Sequence, residues 1–151
     1  MRFKFLAVFA LVVLVSACAG DGAGTGTAGG GVTPGTQEDL VVNVGDRVFF
    51  DFDKYNLDAN ARRTLEKQAA WLKSNSGISV VVEGHADERG TREYNLALGE
   101  RRANASKDYL VALGISPNRV KTISYGKERP VALGSNEAAW AQNRRGVTTV
   151  N

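Results

Sequence analysis

The chain has 151 residues, 43% of them hydrophobic and 23% charged, with 19 basic against 16 acidic side chains and one cysteine. That length suits one domain plus a tether, and a single cysteine excludes an internal disulfide framework. No run of five like charges exists to carry nucleic-acid binding.

Arg2 and Lys4 precede an apolar run from Leu6 to Val15, which closes on Ser16-Ala17-Cys18. A basic start, an apolar stretch of about ten residues and a small-residue cleavage site make a secretory signal peptide over residues 1–17. The stretch is too short to span a bilayer as a mature helix. Val15-Ser16-Ala17-Cys18 resembles the lipobox of bacterial lipoproteins, which implies that Cys18 becomes the lipidated first residue of the mature protein. Position 19 is Ala and not Asp; in enteric-type lipoproteins that implies passage to the outer membrane. The alternative, a buried cysteine in a soluble exported protein, leaves an unpaired thiol in an oxidising compartment. Cleavage removes Arg2 and Lys4 and leaves 17 basic against 16 acidic residues, a net charge near +1. The sequence pI of about 9.2 therefore gives no support to a nucleic-acid partner.

Residues 19–36 hold eight Gly, four Thr and three Ala, with almost no charge or bulk. Such a segment cannot bury enough apolar surface to offset its chain entropy. As a Gly-rich coil it spans roughly 25 Å root-mean-square, the reach of a leash. The head begins at about Gln37; its compact domain is placed at 44–151, and 18–43 are assigned to the lipidated cysteine and tether.

Within the head, Val48, Phe49, Phe50 and Phe52 predict a short strand ended by Asp53-Lys54-Tyr55-Asn56. Asp58 is an N-cap for a helix to about Ser74, with Leu65, Ala69 and Leu72 on one face. Ile78 to Glu83 is rich in β-branched residues and predicts a central strand. Thr91 caps a second helix with Glu93 in its first turn, which runs to about Leu113 and is closed by Gly114. Val120–Tyr125 predicts a third strand, Glu137–Asn143 a short helix and Val147–Val150 a last strand. Strands alternating with helices over about 110 residues give an α/β sandwich, one sheet with helices packed on it.

The second helix carries an anomaly. Asn95, Leu98, Arg102, Ala105 and Tyr109 are spaced three and four apart and share a stripe that should face the sheet, yet Asn95 and Arg102 are polar. Burying an unpaired guanidinium costs several kcal/mol, so Arg102 needs a partner or a route to solvent. The loop before the helix, Gly84 to Gly90, offers acids at the C-terminal end of a strand, the usual place for a ligand in an open α/β sheet. Two readings stand at this point: a ligand site, or a plain Asp87–Arg102 salt bridge that clamps the loop.

The run GHADERGTREYNLALGERRANASKDYL, with DFDKYNL before it and SYGKERP and NRRGV after it, resembles the OmpA-like domain family, and in detail its peptidoglycan-associated lipoprotein branch in Gram-negative bacteria. The resemblance covers the lipobox, the tether and essentially the whole head. It departs from the family pattern at Arg92, where Pro is frequent, and at Ser106, where Val is frequent. It implies an OmpA-like fold with one mixed sheet of about four strands. It also implies non-covalent binding of the peptidoglycan stem peptide through meso-diaminopimelate, with Asp87 taking the distal ammonium and Arg102 the distal carboxylate. An Arg fork suits a carboxylate because it donates two parallel hydrogen bonds. Family matching puts Phe52, Asp53 and Tyr55 on one wall of the pocket and Thr91, Asn95 and Leu98 on its helix side. The implied setting is the outer membrane, lipid-anchored with the head in the periplasm, and the implied partners are TolB and other Tol or outer-membrane proteins.

The remaining chemistry is sparse. Glu83, His85 and Asp87 alternate as metal ligands could, but one His with carboxylates is thin support for a transition metal, and no cofactor is expected. A hydrolase acting on the same polymer needs a nucleophile with a base, a metal-bound water or an acid/base pair. Asp87 and Glu88 are the best such pair, and adjacent side chains on an extended chain point apart. The expectation is a binding protein, not an enzyme; a wall-binding lipoprotein outside the Tol system is a further alternative. Trp71 and Trp140 are packing residues or part of a protein-binding surface. Arg144-Arg145 serves the fold or contacts the glycan or a partner.

Overall fold

The computed structural model describes residues 31–151; the expected signal peptide, Cys18 and most of the expected tether lie outside that range. Four helices, α1 (Gln37–Asp39), α2 (Ala59–Ser74), α3 (Arg92–Ala112) and α4 (Glu137–Asn143), accompany four strands, β1 (Arg47–Phe49), β2 (Val80–His85), β3 (Val120–Gly126) and β4 (Arg145–Val150). The strands form one mixed sheet in the order β1-β4-β2-β3. β4 runs antiparallel to both of its neighbours, and β2 and β3 are parallel. Parallel neighbours need a long crossover, and α3 supplies it.

Two caps, Asp58 and Thr91, fall where the sequence predicts them, and Asn136 adds a third. Asp58 accepts from the Ala61 amide at 2.7 Å, Thr91 from Tyr94 at 3.2 Å and Asn136 from Ala139 at 3.0 Å, each satisfying an orphan donor of a helix start. Leu65, Ala69 and Leu72 of α2 are buried with Val80, Val82 and Val120 of the sheet and Ala103 and Leu110 of α3. That apolar layer between helices and sheet is the main source of stability.

Three expectations are corrected. The compact domain reaches back past 44, toward the Gln37 at which the head is expected to begin: α1 runs into a π-type turn, Leu40–Val44, whose Leu40 is fully buried in the core. Asp39 there accepts the indole N–H of Trp71 at 2.7 Å, which makes Trp71 a core residue and not a docking surface. The first strand stops at Phe49. Phe50 still turns into the core, but Lys54 N–H closes a turn on Asp51 O at 3.2 Å and Asp53 takes φ 56°, a left-handed conformation that Asp tolerates better than most residues. Phe52 is thereby thrown to the surface. Finally, the buried face of α3 is Asn95, Leu98, Gly99, Arg102, Ala103, Ser106 and Leu110, while Ala105 and Tyr109 are only half-buried. A 3.5-residue spacing drifts from the straight-helix period by about 40° over two heptads, so the stripe leaves the core side before the helix ends.

One contact sets the distance between α3 and the sheet. A Cβ on Gly84 of β2 would lie 1.7 Å from the carbonyl oxygen of Gly99 on α3, and one on Gly99 would lie 2.3 Å from Ser124 Oγ of β3. Backbone meets backbone there, and only glycine permits it.

Candidate functional site

Three segments converge at the C-terminal end of β2: the β1–α2 loop, the β2–α3 loop and the first half of α3. Between them lies a cavity of about 160 Å³ lined by Phe52 and Asp53, then Asp87, Arg89 and Gly90, then Tyr94, Asn95, Leu98 and Arg102. Six of the eight pocket residues named from the sequence are thus brought together. The other two are not in this wall. Tyr55 lies in a neighbouring groove with Leu57, Arg62 and Tyr109, 5.5 Å from the guanidinium of Arg101. Thr91 uses its hydroxyl to cap α3.

Arg102 is fully buried, and it does not pair with Asp87. Its Nε donates to Lys54 O at 2.8 Å, Nη1 to His85 O at 2.8 Å and Nη2 to Asp51 O at 3.0 Å. One guanidinium therefore pins the 51–54 turn and the end of β2 onto α3. Burial, reinforced by the positive charge of Arg144 and opposed by Asp87, pushes its pKa down to about 10, so it stays protonated at neutral pH. Three of its five N–H donors are spent on these carbonyls, leaving one on each terminal nitrogen. Ser106 back-bonds to Arg102 O at 3.1 Å, which accounts for a hydroxyl on the buried face of α3.

Asp87 has other partners. Oδ1 accepts from the Arg89 amide at 3.1 Å and from Arg89 Nε at 3.1 Å. Oδ2 accepts from Arg89 Nη2 at 2.7 Å and from Arg144 Nη1 at 3.4 Å. Burial alone would raise the carboxyl pKa, but the bonds and charge of Arg89, with Arg144 behind, outweigh it and hold it below the usual carboxylate range. The simple Asp87–Arg102 clamp is therefore replaced by two arginine systems side by side, coupled through space.

Arg89, Gly90 and Tyr94 are the cavity residues that sequence reasoning did not name; Arg144, named from the sequence with two roles left open, bonds to Asp87. Arg89 sits 4.0 Å over the Phe52 ring and 4.0 Å over the Trp140 ring, a cation held between two aromatic faces. Tyr94 donates its hydroxyl to Asp53. Arg144 also donates from Nε to Phe50 O at 3.0 Å and from Nη2 to Glu137 at 2.6 Å. Arg145 donates to Asn143 O and Arg129 O; both arginines serve the fold around the pocket. Asn95 donates to Arg89 O at 2.8 Å and Thr91 O at 3.1 Å, closing the β2–α3 loop. The motif offered a signal for Arg89, two residues after Asp87 in a charged loop. The NRRGV run drew attention to Arg144, but nothing local marked its pairing with a carboxylate 57 residues away.

His85 lies at the end of β2, with Nε2 3.2 Å from Glu83. Burial, then the charges of Arg145 and Arg129, push its pKa down to about 4, so it is neutral at pH 7. Glu83 and His85 meet each other while Asp87 turns to its arginines; among the described residues no group of three such side chains is placed to hold a metal ion.

Against this geometry, the OmpA family model matches residues 49–144, the span that contains every wall of the cavity. The chain belongs to the OmpA family. Within it, the chain is 56% identical over 130 residues to the peptidoglycan-associated lipoprotein of Rhizobium meliloti, covering 86% of this chain and 74% of that protein. It is 44% identical to that of Pseudomonas aeruginosa, covering 96% and 95%. The crystal structure of the peptidoglycan-associated lipoprotein from Burkholderia pseudomallei superposes with a TM-score of 0.68 at 44% identity, over 70% of this chain and 90% of that one. Among the described residues no helix is long and apolar enough to cross a membrane.

Proposed function

We propose that this OmpA-family protein is an outer-membrane lipoprotein that binds peptidoglycan non-covalently through the distal end of meso-diaminopimelate, tethering the outer membrane to the cell wall. The observation that carries the reading is the cavity itself: a carboxylate, Asp87, and a deeply held guanidinium, Arg102, line one small pocket. An amino-acid head group presents an ammonium and a carboxylate on one carbon, and this pair matches it in charge. The names of the relatives, peptidoglycan-associated lipoproteins, support the polymer. The reading includes the Tol system, with TolB as the protein partner, as the family resemblance implies. It is a binding reading and not a catalytic one. Asp87 is held by Arg89 and Arg144, Asp53 accepts from Tyr94 and Arg102 donates to backbone carbonyls, and neither a nucleophile–base pair nor two free carboxylates faces the cavity among the described residues.

The test removes one ligand group at a time. A stem peptide with Lys in place of diaminopimelate lacks the distal carboxylate and leaves Arg102 without its partner. Loss of a charge-assisted bond costs about 1.5–3 kcal/mol, roughly ten- to a hundred-fold in affinity. Calorimetric titration of the full chain in detergent should show that loss, and equal binding of the two peptides overturns the assignment.

The anchor is tested separately. Several acyl chains hold a protein stably in a membrane where a single one holds only marginally. Cys18→Ala should therefore yield a precursor or a soluble periplasmic species without fatty-acid label. Labelling of Cys18→Ala as strongly as wild type refutes lipidation at Cys18.

A further inference from the structure

Asp87 cannot receive an ammonium as it stands. A carboxylate offers about four lone-pair sites, and four donors already occupy it: the Arg89 amide, Arg89 Nε, Arg89 Nη2 and Arg144 Nη1. Its partner in the proposed function is no more accessible, since Arg102 is fully buried. A ligand that pairs with both must first displace something.

The donors differ in how readily they can leave. The Arg89 amide is backbone at the start of the turn into α3. Arg144 has a side chain only 8% exposed and is tied at two other points, to Phe50 O and Glu137. The Arg89 side chain is 30% exposed. It also has somewhere to go: Nη1 already lies 4.0 Å from Glu137 Oε2, an exposed carboxylate. A guanidinium between Phe52 and Trp140 can slide along both faces toward Glu137 without losing its aromatic contacts.

We infer that Arg89 is a specificity-determining residue of the pocket, a resident cation that occupies the ammonium seat on Asp87 and is exchanged for the ligand's own ammonium. The inference rests on the stem-peptide reading. In this arrangement the pocket keeps Asp87 neutralised beside Arg102 and Arg144 at all times. Only a ligand that brings a full positive charge to the seat releases Arg89; an acylated, uncharged nitrogen cannot replace a bidentate guanidinium. Arg89 thus sets a threshold on the charge of the ligand, which the pocket's shape alone does not impose.

The experiment titrates the full chain in detergent with a disaccharide-tripeptide that carries diaminopimelate with a free distal ammonium. Wild type and Arg89→Ala are compared by calorimetry. In parallel, the Arg89 Nε–H resonance of the wild type is followed by nitrogen-15 NMR. With the resident cation removed there is no exchange to make, and Arg89→Ala should bind roughly ten-fold tighter, the size of one charge-assisted bond. In the wild type the Arg89 Nε–H signal should move on saturation. Equal or weaker binding by Arg89→Ala overturns the inference, because Arg89 then holds the ligand or ignores it. An unmoved Nε–H signal in a saturated wild type overturns it independently of any effect of the substitution on folding. Binding by the wild type in either case leaves the stem-peptide reading standing, whereas no binding by either protein removes both.

Discussion

Arg102→Ala should lower the unfolding free energy of the domain by about 3–5 kcal/mol, since leaving each of several buried acceptors unpaired costs about 1–3 kcal/mol. The substitution strips partners from the carbonyls of Asp51, Lys54 and His85 at once. Relief of the guanidinium's own burial cost offsets part of the sum, which is why the estimate stays below the simple total. Urea unfolding followed by far-ultraviolet circular dichroism would show the midpoint falling by about 2 M for a slope of about 2 kcal/mol per M. Arg102→Lys should recover less than half of the loss, because a single ammonium is a point charge and cannot span three carbonyls arranged around a planar fork. Stem-peptide binding should vanish in Arg102→Ala even where the protein remains folded, because the 51–54 turn and the end of β2 are no longer pinned to one helix. A stability change under about 1 kcal/mol contradicts the bonding described here. The residue then has two inseparable roles, holding the walls together and presenting what is left of its donor set to the cavity.

That dual role shows what the sequence carries and what it does not. Local chemistry was legible. Asp58 and Thr91 start helices because their side chains bond amides three residues on, a short-range fact that needs no knowledge of the rest of the chain. The anomaly of polar residues on an inward-facing stripe also singled out Asn95 and Arg102 correctly as buried. What the stripe could not reveal was the partner. Arg102, Arg119 and Arg145 all donate to backbone carbonyls, Arg119 to those of Ile78, Leu72 and Asn75 and Arg145 to those of Asn143 and Arg129. Every residue has a carbonyl, so no residue type in the sequence marks which will be used. The plain Asp87–Arg102 salt bridge, one of the two readings, followed from side-chain pairing rules and failed for that reason. The start of the head at about Gln37 was legible from the end of the Gly/Thr-rich run, but its place in the compact domain was not, because only the fit of Leu40 into the core and the hydrogen bond from Trp71 to Asp39 draw residues 37–44 into the fold. Conversely, the placement of Phe52 and Asp53 in the cavity wall depended on family matching, since the strand rules would have continued β1 through them.

Gly84→Ala should be the most damaging substitution of a single hydrogen by a methyl in the described residues of this domain. The new carbon would sit 1.7 Å from Gly99 O and 2.5 Å from Gly99 C. Both are backbone atoms of a 21-residue helix, so no rotamer change can relieve the clash. Either α3 lifts away from β2 or the strand is pushed from its place between β3 and β4. Overpacking typically costs about 1–3 kcal/mol and occasionally more; with rigid backbone on both sides, about 3 kcal/mol or more is expected here. The functional consequence follows from the same geometry. Asn95, Leu98 and Arg102 reach the cavity from α3, while Asp87 and Arg89 reach it from the loop that follows β2. Separating helix from strand widens the pocket and stretches the Arg102 bond to His85 O, so binding should fall along with stability. Gly77→Ala is the matched control, for its Cβ would meet nothing within 4 Å, and it should change the unfolding midpoint little. A Gly84→Ala protein as stable as the Gly77→Ala one would show that α3 does not rest on β2 through bare backbone, and the positioning of Arg102 derived from that contact would fall with it.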